Sequence, residues 1–323
     1  MRWHELKAGL LATGSCRITG ADASSYIERS AAGPGAGGSG SLFFSTGGRR
    51  IRLSISHDSP IEIRHLGGGE AILRHGSTEC TGILEQVGLH CPRQAYITVT
   101  GKCIFSCRYC PVPGTDGRIK TPDEIAAMIA GVRERIDAIS LTSGVLESID
   151  DEERRVRAVL RRIGEVEIPI GVSIYPGRDT PDNLYADGVS EVKFNLEAAT
   201  PTLFEEMCPP LSWDGVIRAL DRSVELFGEG HVFSNVIIGL GESDEEMEAC
   251  IELLTGRGVI PVLRPLTPAA ALQSFSRPGR DRLLRTAALH ARWLKKAGLD
   301  TRTAETMCTL CTGCDIVPGR DCP

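Results

Sequence analysis

The sequence has no long apolar run, because none approaches the roughly 18–20 residues that a membrane-spanning helix needs. The first residues, Met1 to Lys7, include the acidic Glu5, and no apolar signal-peptide core follows them. The formal net charge of −6 argues against a general nucleic-acid binder. We therefore expect a cytoplasmic protein whose partners include neither nucleic acid nor a membrane.

The seven histidines show no metal-ligand spacing, so the sequence predicts no metal site built from histidine. Cysteine is different: the chain has twelve, which is many for a cytosolic protein of 323 residues. Seven of them form two tight groups, at 103–110 and 308–322, and the rest are scattered at Cys16, Cys80, Cys91, Cys208 and Cys250. Cys208 and Cys250 fall in stretches of helical pattern and are interpreted as buried, inert thiols. In a reducing compartment such grouping indicates metal binding rather than disulfides.

The first group is a C-x3-C-x2-C loop made of Cys103, Cys107 and Cys110. It follows an apolar, strand-like run at 95–100. Three thiolates this close can bind one [4Fe–4S] cluster and leave one iron open, which a reactive metal site needs. A zinc knuckle or chance grouping is the alternative, but zinc sites usually pair C-x2-C with a second pair, and none lies nearby.

The loop resembles the signature of the radical S-adenosylmethionine (SAM) superfamily, C-x3-C-x-aromatic-C, with Tyr109 as the aromatic residue. The resemblance implies a [4Fe–4S] cluster whose open iron chelates SAM. It also implies an electron donor such as ferredoxin or flavodoxin.

Six strand–helix units follow one another from residue 95 and predict an α/β fold with a parallel sheet. Helix starts are marked by Thr121-Pro122, Thr200-Pro201 and a capping box at Ser243, and a long helix over 280–297 is expected to end at Gly298. A flat, doubly wound sheet is the alternative, and the resemblance favours a partial (β/α)6 TIM barrel. The predicted strands are 95–100, 138–142, 170–175, 191–196, 232–238 and 259–263.

Three domains are expected: an N-terminal α+β extension over 1–93, the barrel over 94–298 and a cysteine-rich tail over 299–323. The extension should contain a helix over 3–11 and a flexible Gly-rich loop over 29–41. It should also contain a small antiparallel element with strands at 50–56, 61–65 and 71–73. Gly68-Gly69-Glu70 is interpreted as a hairpin turn.

The family resemblance implies where SAM is held, because chemistry in such barrels lies at the carboxyl ends of the strands. Backbone groups of Ser143 and Gly144 would hold the SAM amine. Arg264 would pair with the SAM carboxylate or an acidic substrate, unless it makes a surface ion pair. Lys193 is predicted to point to the opposite face of strand four from the neighbours of Asn195 and is interpreted as structural. The ribose and the adenine would contact the ends of strands four and five, at Asn195 and Glu197 and at Ile238 and Gly239, respectively.

The tail carries Cys308, Cys311 and Cys314 in C-x2-C-x2-C spacing, followed by Cys322. This ferredoxin-like spacing predicts a second [4Fe–4S] cluster, with zinc as the alternative. To act on a carbon radical, the tail would have to fold back over the open mouth of the barrel.

The chain also resembles the archaeal biotin-synthase-related group, which includes two-component lipoyl synthases. The resemblance rests on 90–96, the cluster loop, the end of strand four, Gly239-Leu240-Gly241-Glu242 and the Cys-Thr-Gly-Cys-Asp tail. It implies sulfur insertion, a paired radical SAM subunit and an acyl-carrying protein substrate. Strands two and three contain no cysteine, which argues against biotin synthase itself. The alternatives are another radical modification, with the tail cluster as relay or anchor, and a non-catalytic iron–sulfur scaffold.

Overall fold

A computed structural model of the chain describes residues 2–30, 39–86 and 90–322. The N-terminal part begins with helix α1 (Trp3–Thr13), which ends at Gly14 in the left-handed region, with φ at 73°. Strands β1 to β6 then form a closed barrel in the order β1-β3-β2-β6-β5-β4. Their bounds are β1 Ser15–Gly20, β2 Ser41–Thr46, β3 Arg49–Ile55, β4 Glu62–Gly67, β5 Glu70–His75 and β6 Thr78–Leu84.

This barrel is larger than the predicted antiparallel element, which corresponds to β3, β4 and β5. It closes because β1 pairs in parallel with both β3 and β4, whereas the other pairs are antiparallel. Its interior is filled by fully buried apolar side chains of alternate strand positions: Leu42, Phe44, Ile51, Leu53, Ile63 and Leu73. The turn at Gly68 joins β4 to β5 as predicted, and residues 31–38 of the predicted Gly-rich loop lie outside the described residues.

The second part is a seven-stranded sheet in which six parallel strands, β8 to β13, follow in chain order. The two-residue strand β7 pairs antiparallel with β8 at one edge. This arrangement confirms the predicted partial (β/α)6 barrel. The strands are β7 His90–Cys91, β8 Gln94–Thr98, β9 Ala138–Thr142, β10 Ile170–Ser173, β11 Glu191–Lys193, β12 Val232–Ile238 and β13 Ile260–Pro265.

Helices connect the strands, and their starts follow local capping chemistry. Thr121 and Ser243 each accept a hydrogen bond from the backbone of the third helical residue and form capping boxes. The helix Arg280–Ala297 packs on both the helix Asp244–Thr255 and α1. No helix among the described residues is long and apolar enough to cross a membrane. The helices are α2 Pro122–Ala130, α3 Ile149–Ile163, α4 Thr180–Ala186, α5 Pro201–Met207, α6 Trp213–Phe227, α7 Asp244–Thr255 and α8 Arg280–Ala297.

The tail enters the barrel from the amino ends of the strands, opposite to the expected side. Helix α9 (Met307–Cys311) begins where the Met307 amide donates to Ser140 Oγ at 3.0 Å, and Gln94 Nε2 donates to the Met307 carbonyl at 3.0 Å. The preceding Thr306 amide donates to Glu191 Oε2 at 2.8 Å. Buried polar side chains near the amino ends of β8, β9 and β11 therefore hydrogen-bond the tail. No pattern in the sequence predicts these contacts.

The end of the tail is fixed to α1. Lys7 Nζ lies 2.7 Å from Asp321 Oδ2, and their side chains are 0% and 1% exposed. Trp3 Nε1 donates to the other oxygen of the same carboxylate at 2.8 Å. Since a buried charge is stable only when it is paired, this contact holds the N-terminal helix and the tail together.

Candidate active site

The loop with Cys103, Cys107 and Cys110 lies between β8 and α2, at the carboxyl end of β8. Backbone hydrogen bonds of 2.8 Å fix it on two sides, from the Ile104 amide to the Val145 carbonyl and from the Arg108 amide to the Met207 carbonyl. The Phe105 ring stands edge-on to Tyr175, with centroids 5.6 Å apart. The three thiols are free and partly buried, so a preformed loop presents them at the expected edge of the barrel.

Gly144, just past the end of β9, allows this loop to lie close to the sheet. A Cβ atom at this position would lie 2.1 Å from the Lys102 carbonyl oxygen and 3.2 Å from Cys103 Cβ. The Gly144 amide already donates to Thr100 and the Ser143 amide to Ser173. Any contact of this segment with the SAM ammonium would therefore be made by carbonyl oxygens, which accept hydrogen bonds.

Cys208, which follows α5, is a fully buried thiol beside the loop that sequence reasoning treated as inert. It donates a hydrogen bond to Cys107, which lowers the pKa of the Cys107 thiol and raises that of Cys208. Its sulfur also lies 3.8 Å from the Tyr109 hydroxyl. Burial raises the pKa of Tyr109 well above its usual range, so the phenol stays protonated beside these thiols.

Glu197 is placed by a strained backbone just past β11. Its φ of 59° lies in the left-handed region, which costs a residue with a Cβ about 1–2 kcal/mol and often marks a functional position. Asn195 and Tyr109 both hydrogen-bond its carboxylate. Burial raises the pKa of this carboxyl to about 7, although Lys193, Arg264 and the two hydrogen bonds act in the opposite direction. The structure thus brings three of the predicted SAM-contacting residues together beside the cysteine loop.

The Gly-Leu-Gly-Glu turn after β12 is organised by its own acidic residue. The buried Glu242 carboxylate accepts the amides of Gly239, Leu240 and Gly241 at 2.7, 2.8 and 3.1 Å, respectively. Arg282 pairs with it at 2.8 Å. Both glycines have φ above 100°, a conformation that other residues rarely adopt. The turn therefore has a fixed shape beside Ile238, and its contact with adenine remains a prediction.

The barrel interior contains two cations that lead from Glu197 to the tail. Lys193 Nζ lies 3.3 Å from Cys308 Sγ, and Arg264 Nη2 lies 3.5 Å from the same sulfur. The charges of both also act on Glu197. Sequence reasoning treated Lys193 as structural and placed Arg264 at the SAM carboxylate, a contact that remains a prediction. The contact that the structure shows is with the tail.

The tail thiols form a second group at the amino end of the barrel, in which Cys308 and Cys311 are buried and Cys314 is half-buried. Cys308 and Cys311 are one helical turn apart on α9, and Thr312, with φ at 56°, turns the chain toward Cys314. Cys311 packs against Cys91 and Phe43 and is hydrogen-bonded to Cys91, a neighbour that sequence reasoning left among the scattered cysteines.

Cys322 lies apart from this group. Burial raises the pKa of its thiol, and the charges that act on it are those of Asp321 and Lys7. Its position as a ligand beside Cys308, Cys311 and Cys314 therefore has no support in the geometry.

A groove of about 960 Å³ lies between the N-terminal barrel and the start of β8. Its lining includes Arg50, Glu85, Cys91 and Gln94. Because Cys91 lines it, the groove opens one side of the tail thiols toward the surface, on the far side of the barrel from the cysteine loop.

Comparison with known families assigns the barrel. Residues 97–254 match the family model of the Radical SAM superfamily. The chain has a radical SAM domain. This domain implies a [4Fe–4S] cluster and SAM as cofactors, as the cysteine loop predicted.

Curated relatives of this radical SAM protein include lipoyl synthases at low identity. The lipoyl synthase of Chlorobaculum tepidum is 24% identical over 195 residues, which cover 56% of this chain and 66% of the relative. That of Neisseria meningitidis serogroup C is 25% identical over 193 residues, covering 51% and 58%, respectively. The chain thus spans less than two thirds of the length of these relatives.

Solved structures share the fold of the radical SAM protein. The FeFe-hydrogenase maturase HydG from Carboxydothermus hydrogenoformans superposes with a TM-score of 0.53 at 20% identity, covering 62% of this chain and 51% of that one. A radical SAM methyltransferase from Sphaerobacter thermophilus superposes with a TM-score of 0.52 at 19% identity, covering 80% and 70%, respectively. At these identities the likeness concerns the fold alone.

The residues present fit the cofactors that a radical SAM domain implies. Three thiols on one fixed loop can bind three irons of a cubane, which leaves the fourth open for SAM. The Glu197 carboxylate nearby can accept two hydrogen bonds from a ribose diol. Beside the tail thiols, Arg264 Nε of β13 is buried and has no hydrogen-bond partner among the described residues, which fits an anionic group bound there.

Proposed function

We propose that this chain is a radical SAM enzyme that inserts sulfur at an unactivated carbon of an acyl chain, as the lipoyl synthase relatives suggest. When bound, the cluster and SAM supply reductive cleavage to methionine and a 5′-deoxyadenosyl radical, which abstracts a hydrogen atom. The observation that carries the proposal is the arrangement of two thiol groups at opposite ends of one barrel. Glu197, Lys193 and Arg264 line the path between them.

The chain's own residues would position the reactants. Cys103, Cys107 and Cys110 would bind the catalytic cluster, and Glu197, held in a strained conformation, would fix the SAM ribose. Tyr109 would cover the ribose side of the site through its hydrogen bond to Glu197. Closure by the tail would exclude water from the barrel, because α9 fills its amino end.

The tail is proposed to bind a second [4Fe–4S] cluster that serves as the sulfur source. Two observations support this: the thiols of Cys308 and Cys311 are buried, and Lys193 and Arg264 contact Cys308 from the barrel interior. The proposal requires a substrate carbon that lies in the barrel between the two thiol groups. All twelve cysteines are free thiols, which fits the reducing, cytoplasmic location that we also propose.

A second candidate function is another radical modification, with the tail cluster as an electron relay or substrate anchor. The contacts of Lys193 and Arg264 with Cys308 favour this alternative, because hydrogen bonds to ligand sulfur tune the potential of an electron-transfer cluster. In either case the proposed partners are an electron donor such as ferredoxin or flavodoxin and an acyl-carrying protein, together with a paired radical SAM subunit.

One experiment separates these functions. The anaerobically reconstituted chain is turned over once with SAM, a reductant and candidate octanoyl-protein substrates, and products are measured by mass spectrometry. Iron is followed by Mössbauer spectroscopy before and after the turnover. For sulfur insertion we expect thiolated product, at most about one sulfur per chain, and loss of the tail cluster signal.

Simultaneous replacement of Cys308, Cys311 and Cys314 by Ala should abolish that product and preserve formation of 5′-deoxyadenosine, whereas the control Cys250→Ala should preserve both. A tail cluster that survives product formation unchanged would refute its role as sulfur donor and favour the relay. Absence of 5′-deoxyadenosine from the intact chain would indicate a scaffold subunit.

A further inference from the structure

The tail motif provides three thiols at ligand spacing, yet a cubane has four irons, each of which needs a ligand. Sequence spacing points to Cys322 as the fourth, because it follows in the same segment. The structure brings a different cysteine to the group. Cys91 comes from β7, more than 200 residues earlier in the chain, and its thiol is 6% exposed.

Three contacts fix Cys91 beside the tail. It pairs with Gln94 in the β7–β8 hairpin, and Gln94 Nε2 donates to the carbonyl of Met307 at the start of α9. Its side chain packs with Phe43 and Cys311, and Tyr96 lies against the same cluster. The pairing of Cys91 with Gln94, and the hydrogen bond of Gln94 to the start of α9, thus hold Cys91 in contact with Cys311.

Most of the charges around this four-thiol group are cationic, and the buried Asp315, next to Cys314, is the exception. Lys193 and Arg264 contact Cys308, and Arg50 Nη1 donates to the Cys311 carbonyl at 3.4 Å. The backbone of Arg52 donates to the Gly313 carbonyl at 2.7 Å, between Cys311 and Cys314. A cubane with four thiolates carries net negative charge, so a buried site of this kind needs nearby cations.

We propose that Cys91, Cys308, Cys311 and Cys314 together bind the tail cluster, and that Cys322 is not a ligand. This inference rests on the proposed tail cluster and adds its ligand set. With four cysteine ligands the cluster has no open iron, in contrast to the cluster of the Cys103 loop. The N-terminal extension, the barrel and the tail then meet at one cofactor.

The test uses the full-length chain in which Cys103, Cys107 and Cys110 are replaced by Ala, so that only the tail site can bind iron. After anaerobic reconstitution we measure iron, sulfide and zinc per chain, with the EPR spectrum of the reduced protein. We expect about four irons per chain in this background. Adding Cys91→Ser should lower the iron content at least twofold or change the EPR spectrum, and adding Cys322→Ser should do neither.

Cys250→Ser is the burial-matched control, since Cys250 is 1% exposed and lies on α7. Cys91→His guards against simple misfolding: a ligating histidine should keep the iron and raise the reduction potential, because imidazole replaces a thiolate. Circular dichroism of each variant confirms that it folds.

The failures are distinguishable. An unchanged iron content and spectrum in Cys91→Ser, or a loss in Cys322→Ser equal to that in Cys91→Ser, would overturn the ligand set and leave the tail cluster in place. If the background chain binds zinc instead of iron and Cys91→Ser loses that zinc, the iron–sulfur assignment of the tail is overturned and the set of four cysteine ligands is supported. A background chain that binds neither metal would overturn both.

Discussion

Glu197 makes SAM binding depend on pH in a way that can be calculated. Its carboxyl has a pKa of about 7, raised chiefly by burial, so the ionised form that accepts ribose hydrogen bonds dominates only above pH 7. One unit below this pKa about a tenth of the carboxyl is ionised, and one unit above it about nine tenths. SAM affinity should therefore fall about tenfold as the pH is lowered from 8 to 6.

The variant Glu197→Gln preserves the shape of the side chain and removes its charge. Hydrogen bonds to a charged group contribute about 1.5–3 kcal/mol, so its affinity for SAM at pH 8 should be about 10- to 150-fold lower than in the wild type. The variant should also lose the pH dependence described above. Iron content should not change, because Glu197 is not a cluster ligand.

The assay is anaerobic calorimetry with SAM and the reconstituted protein, without reductant, between pH 6 and pH 8. Protonation of SAM itself affects wild type and variant equally, so the difference between the two curves isolates Glu197. The matched control is Glu245→Gln, an exposed carboxylate on α7, which should behave as the wild type. Equal affinities in wild type and Glu197→Gln, or parallel pH curves, would show that Glu197 does not hold the ribose.

Three further predictions follow from other contacts. Gly144→Ala should lose the catalytic cluster, because the new Cβ would overlap the Lys102 carbonyl oxygen. Iron analysis should then show a loss of about four irons per chain. Gly114→Ala is the control, since a Cβ at that position would have no atom within 4 Å. Lys193→Met should lower the midpoint potential of the tail cluster in an EPR titration by removing a cation 3.3 Å from Cys308 Sγ, whereas the exposed Lys296→Met should not. His290 is buried with a pKa lowered to about 3, so its folded form resists protonation and stability falls as pH drops below about 6.5. His290→Leu should flatten the urea-unfolding free energy between pH 6.5 and pH 5, where one such histidine contributes about 2 kcal/mol.

Each of these has a clear contrary outcome. Full iron in Gly144→Ala would show that the loop can move away from the sheet. An unchanged potential in Lys193→Met would mean that the lysine does not face a cluster ligand. A His290→Leu variant whose stability falls in acid as steeply as that of the wild type would assign the acid sensitivity to other groups.

Elements with local signals could be predicted from the sequence. The capping residues Thr121 and Ser243 and the stop at Gly298 are chemistry within one helical turn, and the predicted bounds of α8, β9 and β12 match the structure. The cysteine loop was equally local. Strand–helix alternation then left few topologies open, because crossovers between parallel strands are right-handed.

What could not be predicted depends on pairing between distant residues. Closure of the N-terminal barrel needs β1 to pair with β3 and β4, and no turn signal encodes these contacts. The meeting of Cys91 with Cys311 and the entry of the tail at the amino end of the barrel are of the same kind. The resemblance over 90–96 did include Cys91, and that was the one available signal for its role.

Glu197 shows a different limit. Its sequence context predicted a ribose contact, but the left-handed backbone and the burial that raises its pKa arise only in the assembled barrel. For Lys193 the prediction assigned a structural role, whereas the structure shows a contact with Cys308. The prediction relied on the alternation of side chains along a strand, and β11 has only three residues, too few to define which face each side chain occupies.

The ion pair between Lys7 and Asp321 has a consequence for biosynthesis, because it joins residues 314 positions apart. Helix α1 is synthesised long before Asp321, so its buried lysine has no carboxylate partner until Asp321 has also left the ribosome. The thiols at 308–314 emerge equally late, whereas the loop at 103–110 is available long before. We therefore expect iron delivery to follow a fixed order, in which the loop at 103–110 can be loaded before the tail thiols have been synthesised. A chain truncated before residue 308 would keep the loop at 103–110 and lose both the tail thiols and the ion pair, so it would be recognisable to proteases by the unpaired Lys7 on α1.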